Sequence, residues 1–154
     1  MNKKEFKITT TKIYEEYGFL KKGKYFYLDL EDVLICSGFS HAYGCTYLAY
    51  NVSIKALHSE NERKMNDMFD GYDSTENQIC FNEKEKGIYQ IEICYEKYTK
   101  EEYEKKLTDV LHKHFDPYKN DAIGFIKKCC TEVGVLFDNE TMLLKAKAKK
   151  YLEI

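Results

Sequence analysis

Residues 46–54 read TYLAYNVSI, and no other segment of the chain alternates its side chains so regularly. Leu48, Tyr50, Val52 and Ile54 fall at every second position, with smaller or polar residues between them. Successive side chains of a β-strand point to opposite faces of its sheet, so a period of two is typical of a strand. We therefore predict a strand here, whose apolar face packs against a C-terminal helix.

Strand signals lie on both sides of this segment. Residues 24–30 and 33–40 precede it, and the short connections between the runs favour an antiparallel meander. Alternation at 78–81 and 88–95 predicts two further strands. Such a pattern indicates a sheet with one buried face and one wet face that is free to bind.

Helical patterns stand at both ends of the chain. An apolar stripe at helical spacing predicts a first helix over residues 4–17, which Gly18 ends. Residues 99–102 have the sequence of a capping box, which starts a helix. That helix carries Leu107 and Leu111, and we expect it to end at residues 116–117, Asp-Pro, where another can begin. Asp138 is expected to cap a final helix.

The order of these elements predicts the fold class. Strands that are segregated from helices are typical of α+β proteins. We expect a single α+β domain over residues 1–154, with an antiparallel sheet of about five strands. One N-terminal helix and two or three C-terminal helices should pack on one face of this sheet.

Composition excludes several classes of protein. The formal net charge of −2 argues against general nucleic-acid binding, which needs a basic face. No apolar run approaches the roughly 20 residues that span a bilayer, and the charged N-terminus is unlike a signal peptide. A cytoplasmic location is therefore expected. In that reducing compartment we expect all the cysteines to be thiols, namely Cys36, Cys45, Cys80, Cys94, Cys129 and Cys130.

Two local groupings suggest chemistry, and each has a simpler structural interpretation. His112 and Asp116 lie four residues apart and could share a metal ion on one helix face, whereas His114 points elsewhere. Two ligands are too few for zinc, so we predict no metal and no cofactor here. His41 and Cys45 are the one Cys/His pair that is close in sequence, but they flank a predicted turn between strands. We interpret their proximity as incidental.

The segment YGFLKKGKYFY, residues 17–27, resembles the GF-x-KKG-x-x-F signature of a bacterial family, domain of unknown function 4304. In that family too, a first helix leads into strands through this turn. FDPY, residues 115–118, is similar to a proline-containing break before the family's final helices. The chain departs from the family at Leu20, in its lysine-rich start, and at Leu28, where an arginine is frequent. The resemblance implies a first helix that leads into strands, and a bacterial origin. It implies no activity and no catalytic residue.

Charge and tyrosine content lead to a functional hypothesis. Residues 59–85 are rich in acids, and the strand that starts at Lys24 carries two tyrosines on one face. We predict a non-enzymatic intracellular protein-binding module, in its most concrete form an immunity- or antitoxin-like inhibitor of a basic partner. The candidate binding residues are Asp67, Asp70, Asp73, Glu76, Tyr25 and Tyr27. The alternative is a small-molecule-binding domain or enzyme with a pocket between sheet and helices.

Overall fold

A long β-hairpin forms the centre of the fold in the computed structural model, which describes residues 1–57, 77–133 and 150–153. Its strands are β3, Val33–Ala42, and β4, Cys45–Ile54. The turn between them consists of Tyr43 and Gly44, with φ values of 53° and 76°. Positive φ at both positions matches the right-handed twist of the flanking strands, as in type I′ hairpins.

The hairpin belongs to an antiparallel meander, which confirms the predicted α+β class. The described strands lie in the order β1-β2-β3-β4-β5, so each pairs with its neighbours in sequence. The remaining strands are β1, Leu20–Lys22, β2, Tyr25–Asp29, and β5, Asn77–Gln78. The two long helices of the described residues are α1, Lys3–Tyr17, and α2, Lys100–Val133.

One face of the sheet packs against both helices and forms the main core. Leu48, Val52 and Ile54 of β4 are buried in one cluster with Leu107 and Leu111 of α2, as predicted. Both α2 leucines are fully buried. This helix therefore covers the sheet through its apolar stripe.

The opposite face of the sheet is not the wet surface that the sequence predicts. Tyr27, Cys36 and Asn51 on this face are 8%, 0% and 2% exposed. The Tyr25 ring covers Gly38 so closely that a Cβ there would lie 3.0 Å from Tyr25 Cδ1. Alternation alone made this face look exposed, yet these residues of it are buried.

Helix α1 begins and ends at strong capping signals. The Asn2 side chain accepts a hydrogen bond from the Glu5 amide at 2.8 Å, and the Glu5 carboxylate accepts one from the Asn2 amide at 3.0 Å. This reciprocal pair is a capping box that satisfies two free donors of the first turn. At the other end Gly18, with φ 125°, closes the helix as the sequence predicts.

Two buried hydroxyl chains attach α1 to its neighbours. Thr10 Oγ1 donates to the Phe6 carbonyl at 2.7 Å, so its single proton is used and Tyr103 OH must donate to it across 2.6 Å. Ser37 Oγ likewise donates to the Ala49 carbonyl and accepts from Tyr14 OH. The chains hold α1 against α2 on one side and against the sheet on the other.

Helix α2 breaks later than the sequence predicts. We expected residues 116–117 to end it, but the helix continues through Pro117 and departs from helical geometry at Asp121, with φ −157° and ψ 86°. The Asp121 carboxylate then accepts a hydrogen bond from the Gly124 amide at 3.0 Å. Asp121 is thus the N-cap of the second helical part, and this local cap fixes the break.

The segment between β4 and α2 is less regular than predicted. The predicted strand at 78–81 is present only as β5, although the Ile79 amide still donates to the Leu48 carbonyl. The predicted strand at 88–95 is wrong, because 3-10 helices form at Gly87–Gln90 and Tyr95–Lys97. The Phe81 and Asn82 amides both donate to the Gln90 carbonyl, which folds the segment back on itself.

Other expectations concern residues outside the described ranges. They include the final helix from Asp138 and any structure within 58–76. Among the described residues, no helix combines the length and the apolar character needed to cross a membrane.

Candidate functional site

A cavity of about 540 Å³ opens between α1 and the end of the sheet where β3 meets β4. We call it the α1–sheet cavity. Its aromatic floor consists of Phe6, Phe39 and Tyr95, and its polar rim consists of Lys3, Lys7, Lys24, His41 and Thr46. Tyr25 also lines the cavity, although its ring lies over Gly38 on the opposite face of the sheet. The volume lies within the range of roughly 300–1,000 Å³ that is typical of small-molecule sites.

The aromatic floor is held in place by ring contacts. Phe6 is 2% exposed and stacks on Tyr95, with centroids 4.6 Å apart and an interplanar angle of 16°. The Phe39 ring is tilted against the Phe6 ring, with centroids 5.3 Å apart. Phe6 belongs to the buried stripe of α1, while Phe39 and Tyr95 are only partly buried. The floor is therefore a fixed apolar surface with part of its area open to the cavity.

The cations of the rim come from two elements. Lys3 and Lys7 lie four residues apart, so they project from the same side of α1. Lys24 follows Gly23, whose φ of 61° makes the turn into β2, and its ammonium lies 5.1 Å from the Tyr25 ring centroid. Among the described residues that line the cavity, none is acidic. The rim therefore presents a positive potential that favours an anion.

His41 and Thr46 close the rim on the side of the hairpin. They are partners in the β3–β4 ladder, and His41 Nδ1 lies 3.1 Å from Thr46 Oγ1. Cys45, one residue from Thr46, projects from the opposite face of β4, so the candidate Cys/His pair does not form a dyad. Burial, and next the Glu92 carboxylate, raise the pKa of the Cys45 thiol, which disfavours a thiolate nucleophile.

The His112–Asp116 pair, tested above as a metal site, joins α2 to the end of α1. His112 Nδ1 lies 2.9 Å from Asp116 Oδ2, and Tyr17 OH donates to Asp116 Oδ1 at 2.7 Å. The Tyr17 hydrogen bond, and after it His112, hold the pKa of the Asp116 carboxyl below its usual value. No group of three or more candidate ligands for a metal ion is present in the described ranges. The pair is therefore best explained as a contact between helices.

A second cleft, of about 480 Å³, lies between α2 and the segment around Asn82. Lys106 Nζ donates to Asn82 Oδ1 at 2.9 Å and to Tyr98 OH at 3.0 Å, and it lies 4.6 Å from the Phe81 ring centroid. This lysine attaches the irregular segment to α2. Acidic side chains such as Glu83 also line the cleft, so it has no single sign of charge.

The binding residues proposed from sequence do not form one surface in the described structure. Tyr25 lines the α1–sheet cavity and also packs against the small cluster of Tyr27 and Cys36, in which Tyr27 is buried. The predicted acidic residues lie outside the described ranges, and they are Asp67, Asp70, Asp73 and Glu76. Their role as a docking surface stays a prediction.

Sequence reasoning did not bring the cavity residues together. The spacing of Lys3 and Lys7 was a visible signal of a basic helix face. Nothing in the sequence places Phe39 or Tyr95 beside that face, because they come from elements distant in the chain. Comparison of this chain with protein-family models, with curated proteins and with solved structures gives no match.

Proposed function

We propose that this chain is a binding domain that takes a small anionic ligand in the α1–sheet cavity. One observation carries the proposal: three lysines and a histidine surround an aromatic floor, and no acidic residue accompanies them among the described lining residues. The proposal develops the alternative sequence hypothesis, a small-molecule-binding domain or enzyme with a pocket between sheet and helices. The hypothesis of a basic protein partner at Asp67, Asp70, Asp73 and Glu76 remains a separate proposal.

The arrangement favours binding over catalysis. Lysines around a cavity with apolar walls raise the local concentration of anions, because low-dielectric walls focus their field. His41 is engaged through Nδ1 with Thr46, and the nearby cysteine projects from the other face of β4. The rim thus supplies charge and hydrogen-bond donors, while the floor supplies apolar contact area.

A fluorescence titration with 8-anilinonaphthalene-1-sulfonate, an aromatic sulfonate dye, tests the proposal. The wild-type protein should bind the dye saturably, with one molecule per chain. The triple variant Lys3→Gln/Lys7→Gln/Lys24→Gln should weaken this binding by about tenfold or more, because it removes the charges of the rim. Higher salt should weaken binding to the wild type as well.

The matched control is Lys86→Gln/Lys100→Gln/Lys105→Gln, which changes the net charge equally at exposed lysines that do not line the cavity. It should leave dye affinity within about twofold of wild type. Equal losses in both triple variants would show that the dye responds only to net charge. That result would remove the cavity as the anion site.

A further inference from the structure

The chemistry of the α1–sheet cavity specifies the ligand beyond the sign of its charge. We propose that the ligand is a phosphomonoester that carries a flat ring, with the phosphate among Lys3, Lys7 and Lys24 and the ring on the aromatic floor. This inference rests on the proposed function, since it names the chemical class of the anion bound at that site.

The type and number of cations favour a phosphate over a carboxylate. A planar carboxylate is matched by the two parallel donors of an arginine guanidinium, whereas a lysine ammonium is a point charge without a preferred plane. The basic side chains among the described lining residues are three lysines and one histidine, and none is an arginine. The three ammonium groups have no described carboxylate among them. A phosphomonoester carries about −1.5 to −2 charges at pH 7, so it neutralises them better than a carboxylate does.

Hydrogen-bond donors of the hairpin point to the same class. His41 Nδ1 lies 3.1 Å from Thr46 Oγ1. When the threonine hydroxyl donates this hydrogen bond, the neutral imidazole carries its proton on Nε2, which can then donate to a ligand. A phosphate has three terminal oxygens that accept strong hydrogen bonds. It can therefore contact the lysines of α1 and of the turn before β2, and still accept a hydrogen bond from β3.

The floor requires an apolar, flat part in the ligand. The ring of Phe6 contacts the rings of both Tyr95 and Phe39, and these two partly buried residues line the cavity. Aromatic rings pair at centroid distances of about 4.5–7 Å, in offset-stacked or edge-to-face geometry. An inorganic phosphate alone would leave this surface uncovered.

Calorimetric titration of the full chain with three probes tests this inference at pH 7.5. Phenyl phosphate has both parts, phenylacetate has a ring and a carboxylate, and inorganic phosphate has no ring. Phenyl phosphate should bind at least about tenfold more tightly than either of the others. Lys3→Gln/Lys7→Gln/Lys24→Gln should remove most of this advantage, and Lys86→Gln/Lys100→Gln/Lys105→Gln should preserve it.

A second variant separates the ring contact from the charge contact. Phe39→Leu keeps an apolar side chain but removes one ring of the floor, so phenyl phosphate should lose affinity while inorganic phosphate should not. Circular dichroism and thermal melts of each variant check that it is folded. Equal losses for both probes would overturn the assignment of the ring to the floor.

Two sources could supply the same chemistry, a free ring-bearing phosphate and a phosphotyrosine side chain of another protein. A phosphotyrosine peptide that binds more tightly than phenyl phosphate would support the second source, and equal affinity would support the first. Phenylacetate or inorganic phosphate binding as tightly as phenyl phosphate would overturn the ligand class but leave the anion site. Failure of every probe, including the sulfonate dye, would overturn both proposals.

Discussion

One partly buried histidine on α2 should make the unfolding free energy depend on pH. His114 Nε2 is buried, and no hydrogen-bonding group among the described residues reaches it. Its ring lies edge-to-face with Tyr50, at a centroid distance of 5.9 Å. Burial, and next the charge of Lys113, lower the pKa of His114 from its ordinary value, so the neutral ring is the stable form in the fold.

This environment predicts a specific effect of acid. Because the pKa of His114 is lower in the folded state than in the unfolded state, the neutral ring contributes fully above the unfolded value of about 6.5. The contribution is lost as the pH falls through the folded value. His114→Phe keeps a flat ring and should reduce the loss of unfolding free energy between pH 7.5 and pH 5, measured by urea denaturation. Parallel losses in both proteins would show that other groups dominate.

At the scale of elements, the break in α2 depends on one cap. Asp121→Ala removes the acceptor for the Gly124 amide and should lower the unfolding free energy by about 0.5–2 kcal/mol. The matched control is Asp109→Ala, which removes an exposed carboxylate from within the same helix and improves helix propensity. Urea denaturation of both variants compares them. Equal effects would contradict the role of Asp121 as an N-cap.

The elements also show which sequence signals were sufficient. Gly18 ends α1 as predicted, and the strand predicted from the long alternation of β4 is present. Both signals depend only on residues that are close together in the sequence. The segment 88–95 failed because its alternation includes Tyr89, which is 63% exposed, and of its apolar positions only Ile93 is fully buried. Its backbone is instead fixed by distant partners, as when the Ile93 amide donates to the Thr46 carbonyl. Hydrogen bonds between residues distant in the chain produce no periodic pattern in the sequence.

For the whole molecule, the core between α2 and the sheet should dominate stability. Leu107 is 0% exposed and belongs to the cluster that joins both helices to the sheet. Leu107→Ala should therefore cost about 2–5 kcal/mol of unfolding free energy, through lost transfer energy and a residual cavity. Lys105→Ala, at an exposed position on the same helix, should change it by less than about 0.5 kcal/mol in guanidinium denaturation. A small effect at Leu107 would mean that α2 does not cover the sheet.

The candidate site depends on the packing of the whole molecule, so the sequence predicted only part of it. Tyr25 was chosen for its position on a strand face, and it does line the cavity. Tyr27, chosen for the same reason, is buried in a cluster with Cys36. The cavity depends on how α1, the hairpin and the 3-10 helix at Tyr95–Lys97 pack together, and no local pattern encodes that packing.

The meander has a consequence for the order of folding. The hairpin of β3 and β4 closes between Ala42 and Cys45, whereas Thr10 and Tyr103 meet across 93 residues of chain. Loop-closure entropy grows as (3/2)RT ln n, so on an otherwise unfolded chain the second contact costs about 3 kcal/mol more than the first. Once the strands have paired in sequence order, they shorten the effective loop between the helices. Nucleation in the hairpin, followed by the docking of α1 on α2, is therefore the less costly route to the native state.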